Sequence, residues 1–239
     1  MNTKDVGADA WNDPRIMAGM DRQLRLLDSY VRQGFHLGGW KLGLGAPAAR
    51  EALGLPAAAM GFILRSDFRQ SGATVALDGW KQPMLEGEVA VRFADAVTTK
   101  MNDEEILKRI SGIGLAIELV DIDVTARNVE SIVAANIFQK HVVLGSEASE
   151  WREDDIARSA ADVSVDGKTM HSTNEPMALT GGIMQNVRHA VLYLDAFGRQ
   201  FNPDDILITG AMMPNINIAP NQSAKLLMKA LGSVEINFA

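Results

Sequence analysis

Apolar residues recur along this chain with two different periods, and the switches between them predict alternating helices and strands. Ile16, Met20, Leu24, Leu27 and Val31 follow helical spacing, leaving Arg22, Arg25 and Arg32 outside. Asp13 and Pro14 suit the cap and first position of that helix, and Gly34 suits its end. A short strand is expected from Trp40 to Leu44, then a helix opened by Pro47. GFILRSDFRQSG reads as a strand or turn, and Asp78-Gly79 as the turn before PMLEGEVAVRF. Asn102 or Asp103 caps DEEILKRI; GLAIELVDID is a largely buried strand, VESIVAANIF a short helix and HVVLG a strand. SVDGKTM suggests a hairpin turning at Asp166-Gly167. GGIMQNVRHAVLYLDAFG is a helix with Ile183, Val187, Val191 and Leu194 inward and Gly198 at its end. Three strands close the chain, DDILITG, AKLLMKAL and SVEINF, the last alternating Val234, Ile236 and Phe238. Many strands with few helices predict a mixed α+β body.

Within this pattern the acidic strand stands apart. A strand alternates faces, so Glu86 and Glu88 point one way while Gly87, Val89, Val91 and Phe93 point the other. Two neighbouring carboxylates repel, and burying them unpaired costs several kcal/mol, so a compensating cation is one reading and metal ligation its natural form. A strand with one solvated face is the other. Alternation also separates Lys41 and Gly43 from Trp40 and Leu42, and a surface position is the usual fate of a lysine. Gly43, Gly45 and Ala48, with Asp67 downstream, match a dinucleotide fingerprint in spacing, but neither the preceding hydrophobic strand nor the crossover helices are there.

Composition narrows the chemistry. The 239 residues are 47% hydrophobic and 22% charged, with a net charge of −7 and no basic cluster, which argues against nucleic-acid or anionic-membrane partners. There is no cysteine, so any metal must sit on oxygen or histidine. The four histidines, His36, His141, His171 and His189, are scattered, and His189 reads as solvated on the polar side of its helix. MNTKDVGADAWNDP has no apolar leader core, and no run of about eighteen apolar residues occurs, so the expected location is the cytoplasm.

Taken in order, GWKLGLGAPAA, LGLPAAAMGFIL, PMLEGEVAVRF, AIELVDID, VAANIFQKHVVLG, DILITGA and KALGSVEINF resemble the 2-oxopent-4-enoate hydratase and 4-oxalocrotonate decarboxylase group of the fumarylacetoacetate hydrolase superfamily, from about Trp40 to Phe238. The resemblance implies a mixed β-sheet roll, a distorted barrel, with a helical segment over residues 1–38 and a catalytic domain over 39–239. It also implies Mg²⁺ or Mn²⁺ held by Glu86, Glu88 and Glu118, with Lys41 as the active-site lysine. Asp67 becomes a candidate acid/base, Thr209 and Gly210 substrate-binding residues, and Asn136 a supporting residue behind them. The implied activity is hydration of a 2-hydroxy-2,4-dienoate to a 4-hydroxy-2-oxo acid, the metal stabilising the enolate. Decarboxylation of a 4-oxalocrotonate-type acid uses the same electron sink, and a silent partner subunit is a third reading. A small 2-oxo acid is the implied partner, and a homo-oligomer the implied state. The chain departs from the family at Ala134-Ala135-Asn136, where the family keeps Ala-Asp-Asn, and at Pro220-Asn221, which replaces a glycine-aspartate turn. It also lacks the His-Glu pair of the hydrolytic branch.

Overall fold

The computed structural model describes residues 9–123, 125 and 127–239, so the leader reading falls largely outside the described residues. The chain opens with α1 (Pro14–Arg32), β1 (Leu37–Gly43), α2 (Pro47–Leu53), β2 (Ala59–Leu64), β3 (Phe68–Gln70) and β4 (Thr74–Val75). Its middle is β5 (Pro83–Phe93), α3 (Asp103–Leu107), β6 (Ile110–Asp121), α4 (Val129–Ala134) and β7 (Gln139–Ala148). Then come α5 (Glu153–Ala157), β8 (Ala161–Val165), β9 (Lys168–Thr173), α6 (Ile183–Ala196), β10 (Ile206–Ile208), β11 (Ile216–Asn217), β12 (Ser223–Met228) and β13 (Gly232–Phe238). No helix among the described residues is long and apolar enough to cross a membrane.

Two sheets form the α+β body. The larger runs β2-β1-β10-β5-β6-β7-β3, with β11 paired to β5, and curls into a half-barrel; the smaller runs β4-β13-β12-β8-β9. Most neighbours are antiparallel, while β1 pairs with β10, β3 with β7 and β4 with β13 in parallel. Residues opposed in register share a face, so the long β5–β6 ladder fixes which side chains meet. One face of the large sheet carries Trp40, Leu85, Val89, Val91, Ile117 and Leu119 into the main core, which also takes Leu226 and Val234 of the smaller sheet. The approach is close at Gly87, where an added Cβ would lie 3.1 Å from Leu226. The other face buries a separate cluster including Ala90, Ala116, Val142 and Ile208.

The expected elements differ from the structure mainly at their ends. Helix α1 is capped by Asp13, whose side chain accepts from Arg15 N, and it is tied down by Gln23, which donates to Met60 O and Val133 O. Val31 fits the helical spacing yet is half exposed, because the last turn of α1 runs past what it packs against. The ambiguous segment after Gly61 completes β2, turns through Arg65–Asp67 and becomes β3. The expected hairpin joins β8 to β9, with Asp166 and Gly167 both at positive φ, as its tight turn requires.

Candidate metal centre and cavity

Register on β5 and β6 builds the acidic site. Glu86 lies directly opposite Glu118, and Glu88 stands two residues along on the same face, opposite Ala116. Each of the three carboxylates offers an oxygen within 4.8 Å of the others. Both faces of β5 are covered, so the reading of a strand with a solvated face is set aside: Glu88 is 0% and Glu118 1% exposed, and only Glu86 opens in part to a cavity.

Lys41 reaches the trio from β1, across β10. Its ammonium donates to Glu118 and, at 3.1 Å, to Ile137 O. Gly210 N donates to Glu88 Oε2 at 2.7 Å. After these bonds Glu88 Oε1 and Glu118 Oε2 remain buried without a hydrogen-bond partner, an expensive state for carboxylate oxygens. Burial pushes the Glu86 carboxyl up to about 7, with the Glu118 charge adding and Lys41 opposing. Glu88 is pushed well above the usual carboxylate range by burial first, then by Glu118 and Glu86. Three carboxylates and one ammonium sum to −2, which one divalent cation cancels. Oxygen-only donors suit a hard ion, and the orphaned oxygens are what such an ion would satisfy.

A strained segment holds Lys41 in place. Asn136, Ile137 and Phe138 have φ of 54°, 48° and 62°, values rarely adopted by L-residues and least of all by a β-branched one. Asn136 fixes them by clamping the Phe62 backbone, accepting from its N–H at 2.8 Å and donating to its C=O at 2.9 Å. The Ile137 carbonyl is thereby presented to Lys41. Gly61 allows the approach, since a Cβ there would sit 2.8 Å from Asn136 Oδ1.

A cavity of about 870 Å³ opens beside the trio, lined by Lys41, Glu86, Thr209 and Gly210 among others. Thr209 and Gly210 therefore border it, but their donors are engaged: Thr209 Oγ1 donates to Val89 O at 3.2 Å and Gly210 N to Glu88. Asp67 is not among the lining residues. Its Oδ2 accepts from Leu64 N at 3.1 Å and closes the turn into β3, and burial raises its pKa.

Sequence reasoning missed three lining residues, Arg50, Asn186 and His189. His189 is not solvated. It is 7% exposed, its Nε2 lies 2.9 Å from Ala58 O, and burial lowers its pKa. The available signal was two polar residues, Asn186 and His189, on the buried stripe of α6 alongside Ile183, Val187 and Ala190.

No family model matches the sequence. It is 26% identical over 215 residues to a 2-keto-4-pentenoate hydratase of Paraburkholderia phymatum, covering 89% of this chain and 82% of that protein. It is 24% identical over 205 residues to a 2-hydroxyhexa-2,4-dienoate hydratase of Comamonas testosteroni, covering 84% and 77%. In fold it is similar to a 4-oxalocrotonate decarboxylase from Pseudomonas putida G7 solved with magnesium and adipate, with a TM-score of 0.86 at 19% identity over 94% of this chain and 86% of that one. A fumarylpyruvate hydrolase from Pseudomonas aeruginosa, solved with Mn²⁺ and pyruvate, has a TM-score of 0.65 at 14% identity over 84% and 88%. Relatives in sequence and neighbours in fold thus converge: the chain is similar in sequence to 2-keto-4-pentenoate hydratases, and it shares its fold with a 4-oxalocrotonate decarboxylase and with proteins of the fumarylacetoacetate hydrolase family.

Proposed function

We propose that this protein is a divalent-metal-dependent hydratase that adds water to a 2-hydroxy-2,4-dienoate and yields a 4-hydroxy-2-oxo acid. The observation that carries the reading is the buried trio Glu86, Glu88 and Glu118, short of one dication in charge and with two carboxylate oxygens unpartnered. The sequence relatives, which carry hydratase names, support hydration over decarboxylation. These three glutamates would hold Mg²⁺ or Mn²⁺, which when bound supplies Lewis-acid polarisation of a 2-oxo acid.

The remaining work falls to the chain's own residues. Lys41 Nζ, anchored by Glu118 and the Ile137 carbonyl, places a donor toward the enol oxygen and offsets part of the negative charge that a substrate carboxylate adds. Gly210 and Thr209 act by positioning: the first orients Glu88, and the second closes the end of β10 onto β5. Asn136 holds the strained segment that orients Lys41. Asp67 is assigned to its turn and not to proton transfer.

The test is loss of the dienol ultraviolet absorbance of 2-hydroxy-2,4-dienoates of differing tails, with Mg²⁺ or Mn²⁺ supplied, beside CO₂ release from 4-oxalocrotonate. The expected result is metal-dependent loss of absorbance that chelator and Glu88→Gln each abolish. Faster CO₂ release than hydration, or neither reaction with metal supplied, would overturn the reading.

A further inference from the structure

We infer that His189 is the base for the water that adds to the substrate: its Nδ1, open to the cavity, takes the proton as the water oxygen bonds to C4. This rests on the hydratase reading and supplies the proton acceptor that Asp67, held in its turn, leaves unassigned. The tautomer follows from the partner of the other ring nitrogen. Nε2 lies 2.9 Å from Ala58 O. A carbonyl only accepts, so Nε2 carries the hydrogen and Nδ1 of the neutral ring keeps its lone pair. Among the described residues no donor reaches Nδ1, and unlike Nδ1 of His141 it is not sealed from solvent. Trp11 and Tyr193 pack against the ring, each with its centroid 5.9 Å away, so the surface that the ring keeps lies on the cavity, which His189 and Ala58 both line. Burial lowers the pKa of the imidazole, which favours the neutral form that a base needs.

Strand register sets where the imidazole stands relative to Lys41. Lys41 pairs with Gly61, and Gly43 with Ala59, the neighbour of Ala58. Lys41 and Gly43 share a face of β1 and stand about 7 Å apart at the usual strand rise. The ring is thus anchored about one pleat beyond the lysine, a span that a short 2-oxo acid bridges. Gly43 leaves the way open between them, since a Cβ there would lie 3.0 Å from Ile137 and 3.6 Å from Lys41 Cε. With the 2-oxo end at Lys41, C4 of the unsaturated acid falls toward His189. The water oxygen forms its bond to C4, the C3–C4 double-bond pair moves toward the 2-oxo oxygen beside Lys41 Nζ, and the O–H proton passes to Nδ1. The carbonyl then re-forms as C3 takes a proton from a solvent water, and the imidazolium proton neutralises the hydroxide left behind. One water is added in sum, and His189 ends neutral. Loss of CO₂ needs no such acceptor, so this nitrogen suits hydration.

The experiment uses His189→Gln, whose side-chain amide can keep the bond to Ala58 O but offers no basic nitrogen. With Mg²⁺ supplied, formation of the 4-hydroxy-2-oxo acid from 2-hydroxypenta-2,4-dienoate is expected to fall at least about 100-fold in kcat, the usual worth of a positioned base, with KM little changed. Calorimetric binding of pyruvate to the Mg²⁺-loaded variant and its unfolding midpoint should both stay near the wild-type values, which a merely structural role for His189 would not allow. Long-range ¹⁵N–¹H NMR of the wild type should show Nε2 protonated and Nδ1 bare. Unchanged hydration by the variant, pyruvate binding lost in step with hydration, or the opposite tautomer in the wild type each overturn the assignment and leave the metal centre standing. Absence of hydration by the wild type overturns the hydratase reading, and the role of His189 with it.

Discussion

At the scale of single residues, the charge state of the acidic trio depends on what joins it. Glu86 has a folded pKa of about 7 against an ordinary 4.5, raised chiefly by burial. A raised folded pKa means that the folded chain binds the proton more tightly, so its stabilising contribution is complete below about 4.5 and is lost as pH climbs through 7. Glu88 is shifted the same way. A bound dication replaces those protons, and its stabilisation grows with its affinity for the folded state. Saturating Mn²⁺ should therefore raise the unfolding temperature by several degrees at pH 8 and by clearly less at pH 5.5, followed by calorimetry with and without chelator. Equal shifts at both pH values would contradict this. Part of this site was legible in the residues themselves, since period-two alternation put Glu86 and Glu88 together, while Glu118 joined them only through the family resemblance. Arg50 and Asn186 were not legible, because one-dimensional spacing does not reveal whether a polar side chain ends on solvent or on a cavity wall.

Among the elements, the strained turn between α4 and β7 shows where local propensity gives way to tertiary structure. Ile137 belongs by preference in a strand, yet it has φ of 48° between two other positive-φ residues. What over-determines this conformation is Asn136, whose amide replaces a neighbouring strand at Phe62. Asn136→Ala leaves the Phe62 N–H and C=O unpaired in a buried place and frees the strained residues to relax. Each buried polar group left without a partner costs about 1–3 kcal/mol, so a destabilisation of about 2–5 kcal/mol is expected in urea unfolding. A loss under about 0.5 kcal/mol would mean that the turn is held by other contacts. The sequence showed a helix and a strand here without the left-handed link, since nothing local encodes it; Asn136 entered only through the family resemblance.

Over the whole molecule, helices and strands were readable from periodicity, but their partners were not. Lys41 reaches the carboxylates because β1 runs parallel to β10, a strand some 165 residues later, and no local pattern encodes such a pairing. The close fit is visible at Gly39, where an added Cβ would lie 2.0 Å from Ile206 O. Long-range packing also contributes to the response of the fold to acid. His141, half buried on β7 with its ring centroid 6.1 Å from that of Trp80, has its pKa pushed down to about 4. Burial is the main cause, Arg69 and Lys140 add to it, and a hydrogen bond with the Asp67 backbone opposes it. The unfolded chain takes up that proton near pH 6.5, so between about 6.5 and 4 it binds more protons than the folded one. The contribution of neutral His141 is thus fully present above 6.5 and lost as pH falls toward 4. Replacing it isolates the effect from the carboxylates, of which Glu86 and Glu88 shift in the opposite sense. In chelator, the urea midpoint of the wild type relative to His141→Gln should fall steadily from pH 7 to pH 4.5, and a difference that stays constant across that range would show that the imidazole takes up its proton at the same pH in both states.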